Sequence, residues 1–166
     1  MTHSGAATIT LPTDSQILIT REFDAPPRLV YKAWTTPELV ERYWAGRRGK
    51  MTTVEIDLRQ GGRWRYVMAT SAGFDVAFSG EYQEIVPDER LVFTESYDEG
   101  PGAEPGAEPT VNVATFTELD GGRTRLELLT ECHSQEVRDA IVESGMEGGA
   151  QEQLDLLDEL AQSLAD

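Results

Sequence analysis

The chain has 166 residues, of which 39% are hydrophobic and 27% charged, the balance of one folded globular domain rather than a disordered chain. Its formal net charge is −16, a field that repels phosphate backbones and anionic membrane surfaces and excludes general nucleic-acid binding. No apolar run approaches the ~18 residues of a membrane span.

Residues 1–14 read as an N-terminal tail with a short strand at Ala7-Thr8-Ile9-Thr10 and a frayed start around His3. Residues 16–23 are β-branched and apolar in a short run, the pattern of the first substantial strand. Asp24 before Pro26-Pro27 predicts a capped helix to about Trp34, with Val30, Ala33 and Trp34 on one face. Thr36-Pro37-Glu38 predicts a second helix start: a cap, a proline in the first turn and a carboxylate on the positive end of the dipole.

After Gly49 the apolar period changes to two. Val54, Ile56 and Leu58 alternate, Gly61-Gly62 turns, and Trp64, Tyr66 and Met68 alternate again. Phe74, Val76 and Phe78 follow, with Gly80 as a bulge or point of close approach. Pro87-Asp88-Glu89 leads into Leu91–Tyr97, and Asp120-Gly121-Gly122 joins strands over 111–119 and 123–133. Between them, Asp98–Pro109 carries a tandem Pro-Gly-Ala-Glu repeat with no apolar anchor, read as a mobile loop.

Ser134 caps a short helix over 135–143, and Gly145 reorients the chain. From Met146 to Leu164 a helix carries Ala150, Leu154, Leu157, Ala161 and Leu164 as a stripe, with Glu152, Asp155, Asp158 and Glu159 opposite. A sheet with one apolar face needs a cover. Only this helix, about 27 Å long, is long enough to supply it. One helix cannot fill a bent sheet, so a cavity between the two is expected. By alternation its walls are Trp64, Tyr66, Met68, Phe78, Phe93, Leu126, Leu128 and Cys132, with Met146 at the start of the helix.

Several segments resemble the START-like, or SRPBCC, superfamily. These are Arg21–Pro26, Val30–Thr35, Pro37-Glu38-Leu39 with Trp44, Gly61–Trp64, Gly80-Glu81-Tyr82, Ile85–Thr94, Gly121–Leu126 and Gly145-Met146-Glu147. More closely they resemble the family named after activators of the heat-shock protein 90 ATPase. The resemblance covers residues 15–164. It implies an α+β helix-grip fold: a curved antiparallel sheet of six to seven strands, two short helices after the first strand and a long C-terminal helix across the sheet, in a single domain over 15–166. Two departures stand out: Met146 replaces a frequent tryptophan, and the acidic repeat is added.

Chemistry is sparse. His3 and His133 are the only histidines, and there is no CxxC, HExxH, phosphate loop or Gly-x-Ser-x-Gly elbow, so neither a metal nor another cofactor is expected. Cys132 is the single cysteine, which forbids an intrachain disulfide and, with no signal-peptide pattern, suggests the cytoplasm. Arginine outnumbers lysine 12 to 2, a pattern of GC-rich bacterial genomes. Glu95 shares strand parity with Leu91, Phe93 and Tyr97: facing in, it is a ligand anchor or general base; facing out, it is an inert solvated group.

The expected function is a non-catalytic domain holding an apolar or aromatic small molecule. The alternatives are regulation of a chaperone ATPase, which the resemblance implies, and a polyketide cyclase-like enzyme using Glu95 or Tyr66. Seven of the 14 basic residues (Arg42, Arg47, Arg48, Lys50, Arg59, Arg63 and Arg65) lie within 42–65, and this segment is the candidate contact for a chaperone or other protein partner. Oligomeric state is left open, a dimer included.

Overall fold

Alternation writes the sheet. In β2 (Gln16–Phe23) every second residue is buried: Ile17, Ile19, Arg21 and Phe23. A pleated strand sends successive side chains to opposite faces, so this row is the inner face. The computed structural model describes residues 6–104 and 106–165; the expected frayed terminus around His3 lies outside them.

Two short helices, α1 (Pro27–Thr35) and α2 (Pro37–Tyr43), follow β2. Then come β3 (Gly49–Ile56), β4 (Arg63–Thr70), β5 (Asp75–Val86), β6 (Arg90–Glu99), β7 (Thr110–Leu119) and β8 (Arg123–Glu131). Helices α3 (Gln135–Glu143) and α4 (Met146–Ser163) end the chain. With β1 (Thr8–Thr10) the strands make one curved antiparallel sheet of eight, ordered β1-β2-β8-β7-β6-β5-β4-β3. The sheet exceeds the expected six to seven strands because β1 pairs fully, Thr8 to Thr20 through Thr10 to Leu18.

The apolar stripe of α4 covers the inner face: Leu154, Leu157, Leu160 and Ala161 join the same core as Phe23, Leu91, Ala114 and Leu126. Burying one leucine contributes about 1.5–3 kcal/mol, so the stripe alone seats the helix. Polar clamps fix its position. The Arg21 guanidinium donates to the Leu154 carbonyl and pairs with Asp155 at 3.0 Å and Asp158 at 3.5 Å. The Gln151 amide accepts from the Ala7 N–H at 2.9 Å and donates to its carbonyl at 2.7 Å.

Several local expectations are corrected. Asp24 does not cap α1: the Pro26-Pro27 pair delays the helix, and the Asp24 carboxylate instead accepts from Arg123 at 3.0 Å. Thr36 stands at the N-cap of α2 without a side-chain capping bond. Leu58 lies beyond the end of β3 and is exposed. Asp158 does not belong to the solvent face of α4; it is 3% exposed. Ser134 does cap α3, accepting from the Val137 N–H at 3.1 Å. Gly145, with φ +88, supplies the left-handed residue that separates α3 from α4.

Candidate functional site

Sheet and α4 do not close completely. Between them lies a cavity of about 150 Å³. Its sheet wall is Ile19, Trp64, Tyr66, Tyr82, Phe93, Glu95, Asn112 and Leu128. Its roof is Ala150, Gln153, Leu154 and Leu157 of α4, and Trp34, Tyr43 and Trp44 complete it from α1 and α2. A water occupies about 30 Å³, and an engineered apolar cavity of about 150 Å³ takes up benzene, so this space suits one aromatic ring or a few waters.

The rings support one another. Trp64 lies 4.8 Å from Tyr66 and 6.0 Å edge-on from Phe93, and Trp44 meets Tyr66 edge-on at 5.4 Å. Gly80 makes this possible. The Trp64 Nε1–H donates to the Thr94 carbonyl at 3.1 Å, and a Cβ at position 80 would overlap both atoms. The register of β5 against β6 shifts between Ala77 and Phe78 and between Tyr82 and Glu84 but is regular across Gly80, so of the two expectations for Gly80 the close approach holds and the bulge does not. The Gln153 amide donates to the Trp44 carbonyl at 2.9 Å, tying the roof to the end of α2.

Glu95 faces in. Leu91 and Phe93, of the same parity, are buried, and Glu95 lines the cavity. Its Oε1 accepts from the Asn112 amide at 3.1 Å, and the Asn112 carbonyl accepts from the Thr130 hydroxyl at 2.6 Å. Burial pushes the Glu95 carboxyl above the usual carboxylate range, with the Asn112 hydrogen bond opposing. Burial likewise raises the phenols of Tyr43, Tyr66 and Tyr82; Tyr66 also feels Tyr43, Tyr82 and Glu95. These three phenol oxygens have no protein hydrogen-bond partner among the described residues and are open to water rather than sealed off.

Five expected wall residues are placed elsewhere. Met68 and Phe78 continue past the cavity into a separate cluster with Ala45 and Val76, where Phe78 stacks on Tyr97 at 5.0 Å and backs Trp44 at 5.5 Å. Leu126 is fully packed in the core, opposite Arg21 in register. Cys132 follows the end of β8 and is 2% exposed; burial, then Glu131, pushes its thiol up, away from a reactive thiolate. Met146 opens α4 one turn before the roof begins at Ala150. The expected wall lacked Ile19, Tyr82 and Asn112 of the sheet, Gln153 of α4, and Trp34, Tyr43 and Trp44 from α1 and the end of α2. Asn112 had a signal, a polar residue at an inward position between Ala114 and the strand end. Among the described residues no group of His, Cys, Asp and Glu could hold a metal ion.

A curved antiparallel sheet gripped by a C-terminal helix, with a cavity beneath it, defines the START-like class. Within that class the chain belongs to the family of Activator of Hsp90 ATPase homolog 1-like proteins, whose model matches residues 24–162. Solved relatives share the fold along their whole length. A protein from Rhodobacter sphaeroides is 25% identical with a TM-score of 0.85, covering 96% of this chain and 99% of its own. One from Mycobacterium smegmatis is 27% identical with a TM-score of 0.82, covering 94% and 96%. One from Chromobacterium violaceum is 27% identical with a TM-score of 0.75, covering 89% and 97%. No curated protein matches the chain in sequence. Family membership supports a ligand-binding or regulatory domain, and no described helix is long and apolar enough to cross a membrane.

Proposed function

We propose that the protein is a non-catalytic binding domain that holds a small apolar or aromatic molecule between the sheet and α4. The observation that carries this reading is the cavity itself: about 150 Å³, walled largely by aromatic rings, with a few inward polar groups. Binding sites combine apolar walls with a small number of polar groups that fix orientation. The volume favours single-ring ligands over lipids. The raised phenols of Tyr43, Tyr66 and Tyr82 stay neutral near pH 7 and serve as hydrogen-bonding groups rather than bases. That weighs against a cyclase-like acid–base pair. Trp34, Trp44 and Trp64 all line the cavity, so intrinsic fluorescence reports occupancy. Titration with single-ring compounds should shift the emission with saturation, and a flat response to every such compound would remove the reading.

The basic segment favours a second reading. All seven of its cationic side chains are exposed, a surface suited to an acidic protein partner such as a chaperone. Reversing Arg63 and Arg65 to glutamate should abolish chaperone ATPase stimulation at low salt; a wild-type protein without any stimulation ends this alternative.

A further inference from the structure

The charges around the cavity are one-sided. Among the described residues that line it, Glu95 is the sole ionisable acid or base apart from phenols, and none is a lysine, arginine or histidine. Aromatic faces carry a negative quadrupole, and Trp, Tyr and Phe faces attract cations within about 6 Å. Trp34, Trp44, Trp64 and Phe93 surround the same space as the carboxyl.

The polar groups are also left open toward that space. Glu95 Oε1 is held by Asn112, whereas Oε2 has no hydrogen-bond partner among the described residues. Tyr43, Tyr66 and Tyr82 are 4%, 7% and 4% exposed, and their hydroxyls are likewise without partners there. No side-chain nitrogen or oxygen closed off from water lacks a partner among the described residues, so these oxygens open onto the cavity and are available to hydrogen-bond with whatever fills it, water or ligand.

We propose that the cavity selects a small organic cation, an ammonium group on a compact apolar body, with Glu95 as counter-charge and the aromatic faces as walls. This rests on the reading of the cavity as a ligand site. An anion meets a carboxyl and ring faces with nothing to neutralise it. A neutral ligand leaves the buried carboxyl without a counter-charge, whereas an ammonium turns the Oε2 contact into a charge-assisted hydrogen bond. The net charge of −16 further concentrates cations around the protein, an effect that salt weakens.

Three probes share one ring and differ in charge: benzylamine, benzyl alcohol and benzoate. Calorimetric titration of the full chain at neutral pH and low salt ranks them. Benzylamine should bind at least about tenfold tighter than benzyl alcohol, a gap of one charge-assisted contact, and benzoate should not bind. Glu95→Gln should erase the gap by weakening benzylamine at least about tenfold more than benzyl alcohol. Should that variant fail to fold, thermal shifts of the wild-type protein with the same probes give the ranking. Benzyl alcohol or benzoate binding as tightly as benzylamine overturns the cation proposal and leaves the cavity as a ligand site. Binding of none of the three overturns both.

Discussion

The guanidinium of Arg21 on β2 lies 3.5 Å from the carboxylate of Asp158 on α4, and both side chains are buried beneath the helix. Asp158 also accepts from the Asp24 N–H at 3.0 Å and the Gln162 amide at 3.1 Å. Breaking a buried ion pair from one side costs about 3–5 kcal/mol. Asp158→Ala should therefore destabilise by about 3 kcal/mol. Asp155→Ala, whose carboxylate is half exposed, should cost under about 1 kcal/mol. The double replacement Arg21→Met with Asp158→Leu should recover much of the loss, because apolar substitutes for buried pairs are often neutral. Urea unfolding of the four proteins measures this; equal costs at Asp155 and Asp158 would show that the pair does not seat α4.

Gly80→Ala tests the close approach of β5 to β6. The added Cβ overlaps the Thr94 carbonyl and the Trp64 indole nitrogen, so the β6 backbone and the ring must shift to admit it. Overpacking of this kind costs about 1–3 kcal/mol. Trp64 loses its anchor, so the variant should also show a shifted tryptophan emission. An unchanged midpoint and spectrum would place Trp64 elsewhere.

How much of this was legible depends on what sets each feature. The Ala150–Leu154–Leu157–Ala161 stripe and the period-two strands follow from local geometry, so sheet and cover were readable. Asp158 was read from its charge rather than its position: four residues after Leu154 and three before Ala161, it stands at the edge of the apolar stripe, and its pairing with Arg21 holds it inward. Its partner carried the signal: Arg21 stands in the inward row of Ile17, Ile19 and Phe23, where a cation needs a counter-charge. The same logic applies to Glu95 and Asn112, two polar residues at inward positions of adjacent strands. Trp34, Tyr43 and Trp44 reach the cavity through the packing of α1 and α2 on the sheet and α4, which no single-segment pattern encodes.

Glu95 gives the fold a distinct pH dependence. Its folded pKa is raised above the unfolded value by burial. A group raised in this way contributes its full stability below the unfolded pKa, about 4.3, and loses it as pH rises through the folded pKa. The stability of ligand-free wild type minus that of Glu95→Gln should accordingly fall as pH rises above about 4, the unfolded value. The fall is about 1.4 kcal/mol for each pH unit between the folded and unfolded values. Taking the difference removes other carboxylates, including Glu131, whose hydrogen bonds hold it low and whose contribution runs the opposite way. A difference that rises with pH would contradict the buried placement.

The thiol of Cys132 should resist modification. It is the only cysteine, it is buried, and its pKa is raised, with Arg138 only partly opposing. Alkylation by iodoacetamide at about pH 8 should run at least about 100-fold slower in the native protein than in urea, because the thiolate must form and be reached. Mass spectrometry of timed samples reads the ratio. Comparable native and unfolded rates would put the thiol at the surface.

Filling the cavity separates binding from stability. Ala150 sits in the roof, and Ala150→Leu adds three carbon atoms to a space of about 150 Å³. At about 0.8 kcal/mol per buried methylene, reduced by imperfect fit, the variant should gain about 1 kcal/mol. It should lose binding of any single-ring ligand. Gly148→Ala is the matched control: it lies on the same helix, has open space around its Cβ position and is outside the lining. Removing a helical glycine contributes about 0.5–1 kcal/mol, so this variant should gain similar stability while binding as the wild type does. If both variants gain stability and only Ala150→Leu stops binding, the ligand occupies the space under α4. If both keep binding, it sits elsewhere.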